Sequence, residues 1–184
     1  MFRQALVIGL CSLLLACSGE NPSGIARGPY TVLEVFDGDS FNLKSASGQT
    51  IRIRLAGIDA PEKSQPYSAQ SRMSLEKLLQ SGAIAVEPIK KDQFDRWIAK
   101  VFVGNQDVSL AQIELGYAWF FTRYRRDLPE DTQNQYAQAE GRARSEKKGL
   151  WGWSGPIEPP WKFREKMRKE KSSSWFNPRA LPAV

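Results

Sequence analysis

Ile51, Ile53 and Leu55 alternate with Arg52 and Arg54, the period-2 signature of a strand with one buried and one wet face. Both arginines are therefore expected to point away from the core. Further runs rich in Val, Ile and Phe, separated by Gly, Asn, Asp or Pro, predict strands over residues 30–35, 40–44, 50–55, 83–87 and 96–103. Between the third and fourth of these the period lengthens. Residues 69–80 predict a helix with Met73, Leu75, Leu78 and Leu79 inward, closed by Ser81 and Gly82. Asp107 is the expected N-cap of a helix over 108–115 that ends at Gly116, and a last helix is expected over 129–148, ending at Gly149. This order predicts an α+β chain, mainly β, built as a five-stranded OB-fold barrel with about three helices, a scaffold that binds nucleic acids and oligosaccharides on one face.

The start of the chain follows another pattern. Arg3 precedes an apolar stretch over residues 5–15, and Leu14-Leu-Ala-Cys17 supplies a small-residue cleavage site ending in cysteine. The apolar run is too short for a permanent bilayer span. Residues 1–16 are expected to be a signal peptide and Cys17 a lipidation site, which would place the protein at the cell envelope, held to a membrane by its lipid. A simple secretory signal and a secreted product are the alternative. Cleavage would remove Cys11 and lipidation would consume Cys17, leaving no thiol for a disulfide.

Residues 17–28 are polar and breaker-rich, as a tether would be. Residues 29–155 suffice for one domain with one core, with no internal repeat, and a monomer is expected. Residues 156–184 begin with prolines, and 162–171 then hold six basic and two acidic side chains. That stretch reads either as a short helix lying on nucleic acid or anionic membrane, or as a solvated, partly disordered basic tail.

Charge narrows the partner only a little. The formal balance is +6, and loss of Arg3 with the signal leaves 25 basic against 20 acidic residues, or +5. Such a surface attracts polyanions and anionic lipids alike. The absence of histidine is more restrictive, because it excludes a histidine general base, and a lipidated Cys17 excludes a thiolate nucleophile. Carboxylates, guanidinium groups and metal remain.

Two acidic stretches flank the predicted hairpin of residues 40–55. Asp37-Gly-Asp39-Ser40 precedes its first strand, and Asp59-Ala-Pro-Glu62 follows its second. Antiparallel pairing across the turn at Gly48 would bring Asp39 and Asp59 to one end of the sheet. Two carboxylates with a backbone carbonyl nearby make an oxygen-only site for a hard cation such as calcium.

Together with Asp92-Gln-Phe-Asp-Arg96, these pieces resemble, in order and spacing, the catalytic signature of the thermonuclease (staphylococcal nuclease-like) family over residues 30–153. The resemblance implies a calcium-dependent nuclease of DNA and RNA that leaves 3′-phosphate ends. It assigns Asp39, Asp59 and the carbonyl of Ala60 to the metal, Arg54 and Arg96 to the scissile phosphate, and Glu62 to the attacking water, as general base or as an orienting acceptor. Tyr124 matches a tyrosine of the substrate pocket, whereas Thr122 stands where a second pocket tyrosine often occurs. Ala60 replaces a frequent threonine, and Gln93 and Asp95 replace frequent basic and glycine residues. The alternative class is a noncatalytic OB-fold module binding nucleic acid or glycan at the cell surface. An envelope scaffold docked through its basic tail is a third reading.

Overall fold

In the computed structural model residues 28–175 are described; the expected signal peptide, Cys17 and all of the tether but Gly28 lie outside them, as do residues 176–184. Strands β1 (Tyr30–Val35), β2 (Ser40–Ser45) and β3 (Thr50–Leu55) form an antiparallel meander. Alternation decides their faces. Phe41 and Leu43 of β2 lie opposite Ile53 and Ile51 of β3, all four buried, each contributing roughly 2 kcal/mol on leaving water. The same register sets Ser40 opposite Arg54, so the loop before β2 and the loop after β3 share one end of the sheet.

β3 then pairs in parallel with β6 (Trp97–Val103), and β6 pairs antiparallel with β5 (Ile84–Lys91) and with the short β7 (Gln106–Asp107). The strand order is β1-β2-β3-β6-β5, while β4 (Ile58–Asp59) and β8 (Trp119–Phe120) form a separate two-stranded ladder. The fold is α+β and mainly sheet, but the sheet is not closed into a barrel, which corrects the expected five-stranded OB-fold barrel. Its two edges are blunted instead of joined. β1 bulges between Val32 and Glu34 and has helix α1 (Ser68–Leu79) against it. β5 bulges between Pro88 and Lys90, and Pro88 has no N–H to offer a further strand.

Among the described residues there are four α-helices where about three were expected: α1, α2 (Val108–Glu114), α3 (Glu130–Ser145) and α4 (Pro160–Trp175). Short 3-10 segments at Thr122–Asp127 and Gly149–Gly152 join them. α1 buries Ser71, Leu75 and Leu79. Met73, expected inward, is 60% exposed, because two residues of helix carry a side chain about 200° away from Leu75. Asp107 caps α2 as expected, accepting from the Leu110 N–H at 3.1 Å. Its carboxylate also receives the hydroxyl of the fully buried Tyr136 at 2.8 and 3.0 Å, which fastens α3 to α2. The basic stretch of residues 162–171 lies within α4. The helix opens at Pro160, at its start, where a missing N–H costs nothing.

Candidate active site

The loop before β2 is held by a buried polar network. Gln112 of α2 donates through Nε2 to the carbonyls of Gly38 at 2.8 Å and Ser71 at 3.1 Å, and its Oε1 accepts the Ser74 hydroxyl at 2.6 Å. Gly38 must be glycine, since a Cβ there would run into the Ser71 side chain and lie 2.9 Å from the Ala60 Cβ. Within the loop Asp37 accepts the Asp39 N–H at 3.0 Å, and the Ser40 hydroxyl reaches Asp39 at 2.9 Å. After β3, Gly57 turns the chain at φ 75°, with Leu128 only 2.5 Å from where a Cβ would stand. The turn aims Asp59 back at Arg54.

The two loops meet on that arginine. Arg54 Nη1 lies 2.6 Å from Asp39 Oδ1, an ion pair off hydrogen-bond alignment, and Nη2 donates to Asp59 Oδ1 at 2.8 Å. Asp39 Oδ2 accepts the Ala60 N–H at 2.8 Å. Arg54 does turn away from the core as its strand period predicts, yet it is not on a wet face. Its side chain is only 14% exposed, because Asp39 and Asp59 cover it.

Burial, with the charge of Asp39 beside it, pushes Asp37 up to about 6. Burial, with the charge of Asp39, likewise raises Asp59, more than the hydrogen bond from Arg164 and the charges of Arg54 and Arg164 lower it. Arg54 is pulled down by burial, but Asp39 and then Asp59 outweigh this and hold it above its ordinary value. The cluster is acid-rich and shielded from water, so it favours positive charge.

Arg96 is placed by a turn rather than by its strand. Asp92 Oδ1 accepts the N–H groups of Phe94 and Arg96 at 2.9 and 3.0 Å, and Oδ2 takes Arg96 Nε at 2.9 Å and Nη2 at 2.8 Å. Arg52 donates to the Phe94 carbonyl at 3.1 Å, so both arginines of β3 serve this corner. Asp95 sits at φ 58°, a conformation that glycine enters without strain. Tyr124, 54% exposed, packs edge-on against Phe121 with Lys90 5.5 Å from its ring centre.

Asp39, Arg54, Asp59, Ala60, Glu62, Arg96 and Tyr124 all line one cleft of about 640 Å³; Cys17 lies outside the described residues. Sequence reasoning missed Arg164 of α4, which lines the same cleft and pairs with both Asp59 and Glu62. A signal existed in the helix-opening Pro160 and in Trp161 and Arg164, three apart and hence on one helix face. It also missed Gln65, whose Oε1 accepts the Glu62 N–H at 2.9 Å.

The donor set suits a hard cation in kind. Asp39 and Asp59 supply carboxylate oxygens, both are buried, and no histidine competes for the ion. Among the described residues no three acidic side chains converge as a ready-made metal group. Further ligands would have to be backbone or water oxygens, the backbone candidate being the Ala60 carbonyl.

Carboxylates and guanidinium forks facing one cleft define a site for a phosphoryl substrate, and comparison with known proteins gives it a lineage. Residues 52–153 match the family described as staphylococcal nuclease homologue, and the chain belongs to that family. It is 32% identical over 157 residues to an uncharacterized endonuclease of Haemophilus influenzae, covering 85% of this chain and 82% of that one. An uncharacterized endonuclease of Escherichia coli O157:H7 is 33% identical over 138 residues, 73% of this chain and 84% of that one. A staphylococcal-like nuclease of Arabidopsis thaliana is 30% identical over 129 residues, 70% of this chain but only 38% of the plant protein. The protein is a nuclease.

Proposed function

We propose that this nuclease hydrolyses phosphodiester bonds of both DNA and RNA, with calcium as its cation, leaving 3′-phosphate ends. It acts as a monomer at the cell envelope, tethered through a lipid on Cys17. The reading rests on one observation: Arg54, Glu62 and Arg96 share a cleft with the buried acid pair Asp39 and Asp59 in a chain without histidine.

Asp39 and Asp59, with the Ala60 carbonyl, would hold the cation, which would supply positive charge to a bound phosphate. Arg54 presents its planar fork, and Arg96 the free edge of its guanidinium, to the non-bridging oxygens, and both bind more tightly as negative charge builds there in the transition state. Asp92 engages Arg96 through Nε and Nη2, which leaves Nη1 for a phosphate oxygen. Glu62, its side chain 37% exposed, orients the attacking water and takes its proton. Because water is the nucleophile, a ribose 2′-hydroxyl is not needed. Tyr124 offers an exposed face on which a base can stack.

The test is digestion of DNA and RNA by the purified protein, with calcium and with excess chelator, beside a Glu62→Gln, Arg96→Gln double variant. Calcium-dependent cleavage with 3′-phosphate ends, lost in the variant, is the expected result. Cleavage that survives the double variant refutes the site. For the anchor, Cys17→Ser is expected to move the protein from the membrane fraction to the soluble one; unchanged fractionation refutes lipidation.

A further inference from the structure

Arg164 reaches back across the chain to the acid pair. Its Nη2 lies 2.8 Å from Asp59 Oδ2, and its Nη1 lies 3.2 Å from Asp59 Oδ1 and 2.6 Å from Glu62 Oε1. Arg54 Nη2 donates to the same Asp59 Oδ1 at 2.8 Å, so both lone pairs of that oxygen are engaged. The exposures are unequal. The Asp59 side chain is 1% exposed and that of Arg164 is 44%, so the guanidinium closes the solvent side of a carboxylate otherwise sealed in protein. Asp39 is engaged differently, by Arg54, Ser40 and the Ala60 N–H.

We propose that Arg164 is a built-in competitor of the divalent cation, the two taking Asp59 in exclusion of each other, which sets how tightly the acid pair takes the ion. The inference rests on the reading of Asp39 and Asp59 as cation ligands. While the guanidinium is in place, one oxygen of Asp59 has no lone pair left and the other is already donated to. Once it leaves, both face the cleft with Arg54 as their remaining guanidinium partner.

The helix is built so that the arginine can leave cheaply. α4 is fixed at its first turn, where Trp161 packs on Phe121 with ring centres 5.3 Å apart and on Trp119 at 6.5 Å. Gln65 ties that turn to the catalytic loop, donating to the Glu158 carbonyl at 2.8 Å while accepting the Glu62 N–H at 2.9 Å. Residues 164–172 are exposed, so beyond its first turn the helix has little packing to lose when the Arg164 side chain swings off. An arginine guanidinium does not give up its proton in a protein, so the group competes as a permanent cation. A divalent ion brings twice its charge to the same oxygens. Linkage makes the effect reciprocal: what the arginine subtracts from ion affinity, the ion subtracts from α4 docking.

The experiment is calorimetric titration of calcium into the full chain, into Arg164→Gln, into Asp59→Asn, and into Lys162→Gln, which removes the same charge from the same helix. Arg164→Gln is expected to bind calcium roughly tenfold more tightly, within the usual range of coupling between sites. Lys162→Gln is expected to match the parent, and Asp59→Asn to bind far more weakly. Equal affinity in the parent and Arg164→Gln, with Asp59→Asn still weakened, overturns the competition and leaves the cation site standing. Equal tightening by Arg164→Gln and Lys162→Gln also overturns it, because net charge alone would then explain the gain. Calcium binding that ignores Asp59→Asn, or no binding in any variant, overturns the cation reading and the competition with it.

Discussion

Asp92 holds Arg96 from four residues away, taking its Nε and Nη2 on one carboxylate oxygen while the other oxygen closes the turn that carries it. The strand β6 begins only at Trp97, so the arginine owes its position to this turn and not to the sheet. Asp92→Ala is therefore expected to lower kcat/KM by about 10- to 100-fold, since a misplacement near 1 Å can cost that much. Thermal unfolding should show a loss of no more than about 1–2 kcal/mol, as for other capping carboxylates. Activity equal to the parent would mean that Arg96 needs no such support.

The same carboxylate makes the turn acid-sensitive. Burial pushes the Asp92 carboxyl up, but hydrogen bonds from the Arg96 backbone and side chain and from the Phe94 N–H outweigh it and hold it below its ordinary value. With the folded-state pKa depressed, the unfolded chain binds the proton first as pH falls. Its contribution to stability is thus complete above the ordinary aspartate range and is lost below it, down through the folded pKa. Chemical denaturation of the parent and Asp92→Asn should differ most near neutrality and converge as the pH drops below about 4. A constant difference at every pH would contradict this.

Much of this arrangement is legible in the sequence. The alternation around Ile53 sets the faces of β3, and the turn between the hairpin strands forces Asp39 and Asp59 to one end, so the Arg54 cluster follows from local pattern. Barrel closure does not, because it depends on how two distant edges twist, and the bulges at Val32 and Lys90 carry no sequence signature of their own. Met73 faces outward because it lies two residues from Leu75, while Ser71, four residues before Leu75, shares the leucine face. Arg164 escaped notice for a different reason: its meaning lies in a contact with Asp59, 105 residues earlier, which no local period encodes.

Asp95 stands where glycine is the less strained choice. At φ 58° its side chain crowds its own backbone, and its compensation is an exposed ion pair with Lys91 at 2.6 Å, worth little in water. Asp95→Gly should raise stability by about 0.5–1 kcal/mol, the left-handed strain relieved less the extra freedom of the unfolded chain. Cleavage rates should not change, since the Asp92 contacts to Phe94 and Arg96 do not involve the Asp95 side chain. A drop in melting temperature would show that the Lys91 pair matters more than the strain.

Arg54 combines structure and chemistry, and the two can be separated. Its fork spans Asp39 and Asp59, which are 7% and 1% exposed at their side chains, so its removal strands the buried Asp39 beside Asp59, which keeps Arg164. Arg54→Ala should therefore cost roughly 3–5 kcal/mol, the usual loss when one partner of a buried ion pair is deleted. Arg54→Lys keeps the charge but offers a single ammonium in place of two forked nitrogens, so it should recover part of the stability and little of the turnover. Adding Asp39→Asn to Arg54→Ala removes the carboxylate that has lost its guanidinium partner, Asp59 keeping Arg164, and should restore a substantial share of the lost stability while activity stays absent. Equal melting temperatures for Arg54→Ala and the double variant would mean that mutual repulsion of the acids is not what Arg54 relieves. High turnover in Arg54→Lys would show that the phosphate is met by charge alone, without the planar fork on which the proposed chemistry depends.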